Sequence, residues 1–216
     1  MHCNPGVLSS PSTTLSKGVL ALYKLTRVEH KKFTFSAGFK SLSIDNAILN
    51  PFPERLLFTM IRNADVVGSQ DTKPYNLRHY IIIDFSLLKS GKRVPSEGLS
   101  LNIDHEKTSV IGYRTVFEVS SIHQSKSGLQ VTHPMYIIGY FIVIFDLTPN
   151  RNASEGHKTH RENGNIRFEV KFNKPLTEAI TCLLYLEYDN SAIVDFSRNV
   201  MTEYEDGHHA DTVYAG

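Results

Sequence analysis

Ten histidines in 216 residues are the first groups to ask about chemistry. Two of them open a His-x-acid pair, His160-Arg161-Glu162 and His209-Ala210-Asp211. A barrel that adds a distant third imidazole to such a pair can hold iron. The surroundings argue against it. The first pair lies in a strongly polar stretch, NRNASEGHKTHRENGN, and the second in a polar, acidic terminus. Metal ligands must converge from rigid strands and be oriented by outer hydrogen bonds, so we expect no metal and no cofactor.

Paired carboxylates need an apolar pocket that separates their pKa values before one can act as acid and the other as base. Asp45, Asp84, Asp146 and Asp195 instead occur singly, on or beside apolar runs, where capping backbone amides or wetting a face is their expected work. No G-x-S-x-G elbow is present, and Cys182 sits inside an apolar run, where a thiol is inert packing. Neither G-x-x-x-x-G-K-[ST] nor G-x-G-x-x-G occurs. No catalytic residue is assigned, and the chain reads as a non-enzyme.

The basic run His30-Lys31-Lys32 beside Phe33 and Phe35 could form a nucleic-acid strip. A net charge of +1, from 23 basic and 22 acidic residues, supplies no field to attract nucleic acid or an anionic membrane, and a solvated strand end fits better. Cys3 and Cys182, far apart, form no disulfide framework and suit a reducing compartment. With no signal-peptide core and no long apolar run, the expected location is intracellular, cytoplasm or nucleus, and not secreted. The sequon Asn152-Ala153-Ser154 then reads as a polar loop.

The elements that would position any such residue are strands. Leu42, Ile44 and Ile48 alternate with Ser41, Ser43 and Asp45. Ile81, Ile83, Phe85 and Leu87 share one parity, with Asp84 and Ser86 on the other. Ile166, Phe168, Val170 and Phe172 alternate with Arg167, Glu169, Lys171 and Asn173, one face buried and one wetted. The runs Arg55 to Ile61, Tyr140 to Leu147 and Ile180 to Tyr188 are rich in apolar β-formers, the first two suiting strands covered on both sides. Turn signals at Asn50-Pro51-Phe52-Pro53, Ser90-Gly91-Lys92, Thr148-Pro149-Asn150 and Asn163-Gly164 punctuate them. Glu106 to Ile122 fits a helical stripe through Val110, Tyr113 and Phe117. The expected architecture is all-β: two stacked antiparallel sheets with one short helix in an inter-strand connection. A flexible polar arm spans 1–18, a single β-sandwich domain 19–201 and a flexible acidic tail 202–216.

Six stretches occur in one order: Leu25 to Phe35 (LTRVEHKKFTF), Ser43 to Asn46 with Pro53 to Leu56 (SIDN…PERL), Pro74 to Tyr80 (PYNLRHY), Gly139 to Pro149 (GYFIVIFDLTP), Ile166 to Phe172 (IRFEVKF) and Leu186 to Val200 (LEYDNSAIVDFSRNV). Together, over about residues 20 to 200, they resemble the C-terminal part of the double jelly-roll major capsid proteins of Polinton/Maverick and adintovirus-like elements. The resemblance implies a jelly-roll-type antiparallel β-sandwich in a hexon-like capsid protein of the virion. There two jelly rolls stand side by side in each subunit, and three subunits make a pseudo-hexagonal tile. The expected partners are further copies of itself or a full-length capsid subunit, with penton or minor capsid proteins beyond.

Such a subunit is much longer than this chain, and its first jelly roll has no counterpart here. The chain therefore reads as a capsid domain, or a truncated, genome-integrated remnant of one, with an apolar patch exposed where the other half would lie. Two other readings stay open. A carbohydrate- or protein-binding β-sandwich would gather Tyr, Asn and Asp on loops at one end. A cupin-like metal enzyme would bring His160, Glu162 and a distant histidine together.

Overall fold

A computed structural model describes residues 20–68, 73, 75–101, 103, 110–120, 130–149, 153, 162–195, 197, 199–202 and 212–213. Val28–Glu187 forms one compact unit; the described parts of Met1–Arg27 and Tyr188–Gly216 form a second. The 1–18 arm lies outside the described residues, as does most of 202–216.

In the larger unit the clearest alternation becomes strand β7 (Asn165–Phe172), which buries Ile166, Phe168, Val170 and Phe172. It pairs antiparallel with β2 (Ser41–Leu49) on one side and β4 (Ile82–Lys89) on the other. Outside β4 lies β5 (Lys92–Ser100), giving the order β2-β7-β4-β5. In the second sheet β3 (Arg55–Arg62) runs antiparallel to β8 (Ile180–Val194), in register from Arg55↔Glu187 to Arg62↔Ile180. The short strand β6 (Val143–Asp146) pairs with the other edge of β3, and β1 (Ala21–Phe35) pairs with β8, giving β1-β8-β3-β6. Two sheets, each drawing strands from both ends of the chain in this order, make a jelly roll.

The sheets meet through phenylalanines. Phe85 of β4 has its ring centroid 4.6 Å from Phe58 of β3, 5.4 Å from Phe145 of β6 and 5.7 Å from Phe168 of β7. Burying each ring contributes about 1.5–3 kcal/mol, and aromatic pairing adds about 0.5–1.5 kcal/mol per contact.

In the smaller unit β8 continues to Val194 and turns back into β9 (Val200–Thr202), with Ala192↔Thr202 and Val194↔Val200 in register. Asp195 closes the turn, accepting from Asn199 N at 2.8 Å and Asn199 Nδ2 at 2.9 Å. Within the expected tail, β10 (Thr212–Val213) pairs with β9. Arg27 lies 4.5 Å above the Tyr188 ring.

The parity expected for Ile81 and Ile83 is overturned. Ile82 opposes Phe172 and Asp84 opposes Lys171, so Ile83 is an extra bulge residue that resets the alternation. Ile82, Phe85 and Leu87 are buried, whereas Ile81 precedes the strand in a left-handed conformation, φ 52°. On β2 the step from Ile44 to Ile48 opposes Phe168 to Ile166, two residues too many. Asn46 absorbs them at φ 50°, a conformation Asn tolerates, and accepts from Asn165 Nδ2 at 2.9 Å.

The run Tyr140 to Leu147 is not a continuous strand, since only Val143–Asp146 joins the ladder. Tyr140 ends a helix that the strand reading hid. Three helices are present among the described residues: α1 (Asn63–Val67), α2 (Val110–Ser120) and α3 (His133–Gly139). The expected helix is α2, rotated from the expected stripe: Val110 is exposed, while Gly112 and Val116 face inward with Tyr113 half-buried. Thr115 Oγ1 donates to Gly112 O at 2.7 Å and accepts from Ile144 N at 3.2 Å, covering the outer edge of β6.

A Cβ on Gly112 would lie 2.7 Å from Tyr136 Oη and 2.9 Å from Leu101 Cδ2. Tyr136 is buried and donates to Ile142 O at 3.0 Å, so it cannot yield. Gly112→Ala gains about 1 kcal/mol of helix propensity and loses about 1–3 kcal/mol to overpacking; urea unfolding should show net destabilisation. Phe85→Ala should cost about 3–5 kcal/mol in the same measurement.

Candidate functional site

In the larger unit the connection entering β4 and the connection from β7 to β8 flank a trough of about 510 Å³. Arg78, Tyr80 and Ile81 line one wall, Lys174, Leu176 and Glu178 another, and Ile137 and Ile138 of α3 a third. Tyr80 and Ile81 both have positive φ, 45° and 52°. For a β-branched residue this is strained, by about 1–3 kcal/mol. His79 holds the conformation: its Nδ1 accepts from Ile81 N and its carbonyl from Ile82 N, both at 3.0 Å.

Glu178 anchors the polar side. Its Oε1 accepts from Arg78 Nη1 at 3.0 Å and from Tyr80 Oη at 3.1 Å, and its Oε2 lies 3.9 Å from Arg62 Nε. Arg62 turns its fork on the buried Asp65, with Nε at 3.1 Å and Nη2 at 2.9 Å from Oδ1. Burial, and then the charge of Glu178, push the Tyr80 phenol far above its ordinary range, so it stays a neutral donor. A second cavity, about 410 Å³, opens between Val94, Pro95 and Leu99 of β5, Val119 of α2 and Ile144 of β6. Its polar rim is self-paired, Arg114 with Glu118.

Among the described residues, those singled out by type and spacing are not brought together. Asp45 pairs with Arg167 Nε at 2.9 Å, and Asp84 lies 3.9 Å from Lys171 Nζ, each pair joining neighbouring strands of the β7 sheet away from its core. Asp146 accepts from the amides of Thr148 and Ala153, each at 3.0 Å, and Asp195 caps its own turn. Glu162 pairs with Lys89 at 2.6 Å. His160, His209, Asp211, Cys3 and Asn152 lie outside the described residues, among which no group of three or more His, Cys, Asp or Glu is placed to hold a metal ion. His30 and Lys32 are exposed on β1, alternating with half-buried Lys31, Phe33 and Phe35. The trough was missed because Glu178 stands 100 residues from Arg78. Its only local trace is the Arg78-His79-Tyr80 run.

No protein-family model matches the chain. The uncharacterised protein F54H12.2 of Caenorhabditis elegans is 21% identical over 183 residues, covering 84% of this chain and 43% of that protein. Among solved structures, a quasi-atomic model of the PBCV-1 virus capsid superposes with a TM-score of 0.51 at 10% identity, over 91% of this chain and 55% of that one. PBCV-1 VP54, fitted into a reconstruction of the virophage Sputnik, gives 0.50 at 10% identity, over 87% and 52%. The likeness is one of fold, the jelly roll of viral capsid chains. This chain spans less than half of the curated relative and about half of each solved chain.

Cys182 is fully buried, and burial pushes its thiol up to about 12 from an ordinary 9.0. Folding therefore favours the protonated thiol. Its contribution to stability is intact below pH 9 and is lost as pH rises from 9.0 toward about 12. Across that window, urea midpoints of Cys182→Ala should fall less steeply than those of the wild type, and the native Cys182 thiol in a Cys3→Ser background should resist alkylation until the protein unfolds.

Proposed function

We propose that this chain is a capsid-type structural domain, a jelly roll that works by self-association rather than by catalysis. The observation that carries the reading is the two-sheet jelly roll, β1-β8-β3-β6 with β2-β7-β4-β5, which superposes over nearly the whole chain on solved viral capsid proteins. The finer assignment, to the double jelly-roll major capsid proteins of Polinton/Maverick and adintovirus-like elements, rests on the six ordered stretches. Several coincide with structural features. Ser43 to Asn46 forms the β2 bulge, Glu54 to Leu56 enters β3, Ile166 to Phe172 is β7, and Leu186 to Val194 is the far part of β8.

On this reading residues 19–201 make one jelly roll, half of a hexon-like subunit, and the chain is a capsid domain or a genome-integrated remnant of one. Its partners are copies of itself or a full-length subunit in a three-subunit tile, then penton or minor capsid proteins, and its place is the virion. The described carboxylates singled out above support a non-enzymatic role, because Asp45, Asp84, Asp146, Asp195 and Glu162 are each engaged by a local partner. No described helix is long and apolar enough to cross a membrane.

Sedimentation velocity across a wide concentration range, alone and mixed with a full-length capsid subunit of the resembling family, tests the proposal. Reversible association, alone or into the mixed assembly, is the expected outcome. A monomer under both conditions would refute a tile-forming role.

A further inference from the structure

The trough beside Glu178 combines apolar side chains with charged ones, and its charges do not balance. Of the charged side chains in and beside it, Arg62, Arg78 and Lys174 are cations and Asp65 and Glu178 anions. Three cations against two anions leave one positive charge. That charge is placed: Glu178 is engaged by Arg78 and Tyr80 and Asp65 by Arg62, whereas exposed Lys174 has no partner among the described residues. Lys174 shares the trough with apolar side chains, Ile81, Ile137, Ile138 and Leu176, and Ile138 is 79% exposed. A single exposed apolar residue is ordinary; an open apolar trough that also carries an uncompensated cation has the chemistry of an interaction site.

We propose that this trough receives an extended segment of a partner protein, seating one aliphatic or aromatic side chain against Ile137, Ile138 and Leu176 and an adjacent Asp or Glu carboxylate on Lys174. At about 510 Å³ the volume accommodates a large side chain and its flanking backbone, within the roughly 300–1,000 Å³ of recognition pockets. The trough is open and lined from three separate segments of chain, a form that follows an extended peptide and leaves a compact small molecule half wet. The strained Tyr80-Ile81 backbone, held by His79, gives it a preformed wall, which lowers the ordering cost of binding. This inference stands apart from the shell-building role, since a monomer could present the trough equally well.

A positional-scanning array of synthetic octapeptides, probed with the full chain, tests it directly. The wild type should enrich peptides with an aliphatic or aromatic residue next to Asp or Glu. Lys174→Glu should abolish the acidic preference, and Ile138→Lys should reduce binding of the selected peptides at least tenfold. Both positions are exposed, so thermal melts of the two variants should match the wild type. Enrichment of basic peptides, enrichment unchanged by either variant, or binding of decanoate with no peptide enriched would each overturn the proposal, the last in favour of a small carboxylate ligand.

Discussion

The structure depends on one interlock, the contact of Phe85 with Phe58, Phe145 and Phe168. Each sheet of the larger unit is apolar on one face, and neither face is stable in water until the other covers it. Phe58 and Phe145 come from β3 and β6, Phe85 and Phe168 from β4 and β7, so one cluster closes the sandwich from both sides. The partners span residues 58 to 168, which makes the core a product of non-local contacts that cannot form piecemeal. The outer face of the β7 sheet shows the opposite economy. Arg167 reaches Asp45 and Glu169, at 2.9 and 2.8 Å, across exposed surface, and pairs of this kind contribute only about 0–1 kcal/mol. Charge here keeps the face wet while the aromatic layer holds the fold.

Departures from regular pairing lie where the molecule has something to position. The bulge at Ile83 lets β4 set Ile82 into the core while the preceding Tyr80-Ile81 turn projects outward as the wall of the trough. On β5 the step from Val94 to Leu99 opposes only Leu87 to Phe85, and Gly98 takes φ 71° to close the excursion. Pro95 and this excursion spoil an edge that would otherwise offer a flat ladder to another strand. The β6 edge is closed differently, by α2 and the Thr115 hydroxyl. With both of these edges blunted, neither offers a flat ladder to which a further strand could add.

Much of this was legible in advance, and the failures have physical causes. The alternation of Ile166 to Phe172 survives unchanged because β7 lies between two strands with no insertion of its own. In β4 the expected parity holds at Phe85 and Leu87 and slips by one residue before them, at Ile81 and Ile83, because a bulge leaves no mark in hydropathy. Helix α3 has no counterpart among the expected elements because its short run, with Ile137 and Ile138 next to the β-forming Phe141 to Phe145, carries no helical stripe of its own. The corrective signal was Thr132 before His133-Pro134: Thr132 caps the helix, accepting from Met135 N, and proline suits its first turn. The trough was illegible because its cation, phenol and carboxylate come from segments joined only by the jelly-roll connections.

The proposed role is that of a building block that acts through its surfaces. Electron microscopy of the concentrated protein, alone and with a full-length capsid subunit, asks that question most directly. Averages showing threefold tiles with jelly rolls standing side by side are the predicted result. Isolated single sandwiches in every preparation, with no incorporation into the tiles of the longer subunit, would contradict it.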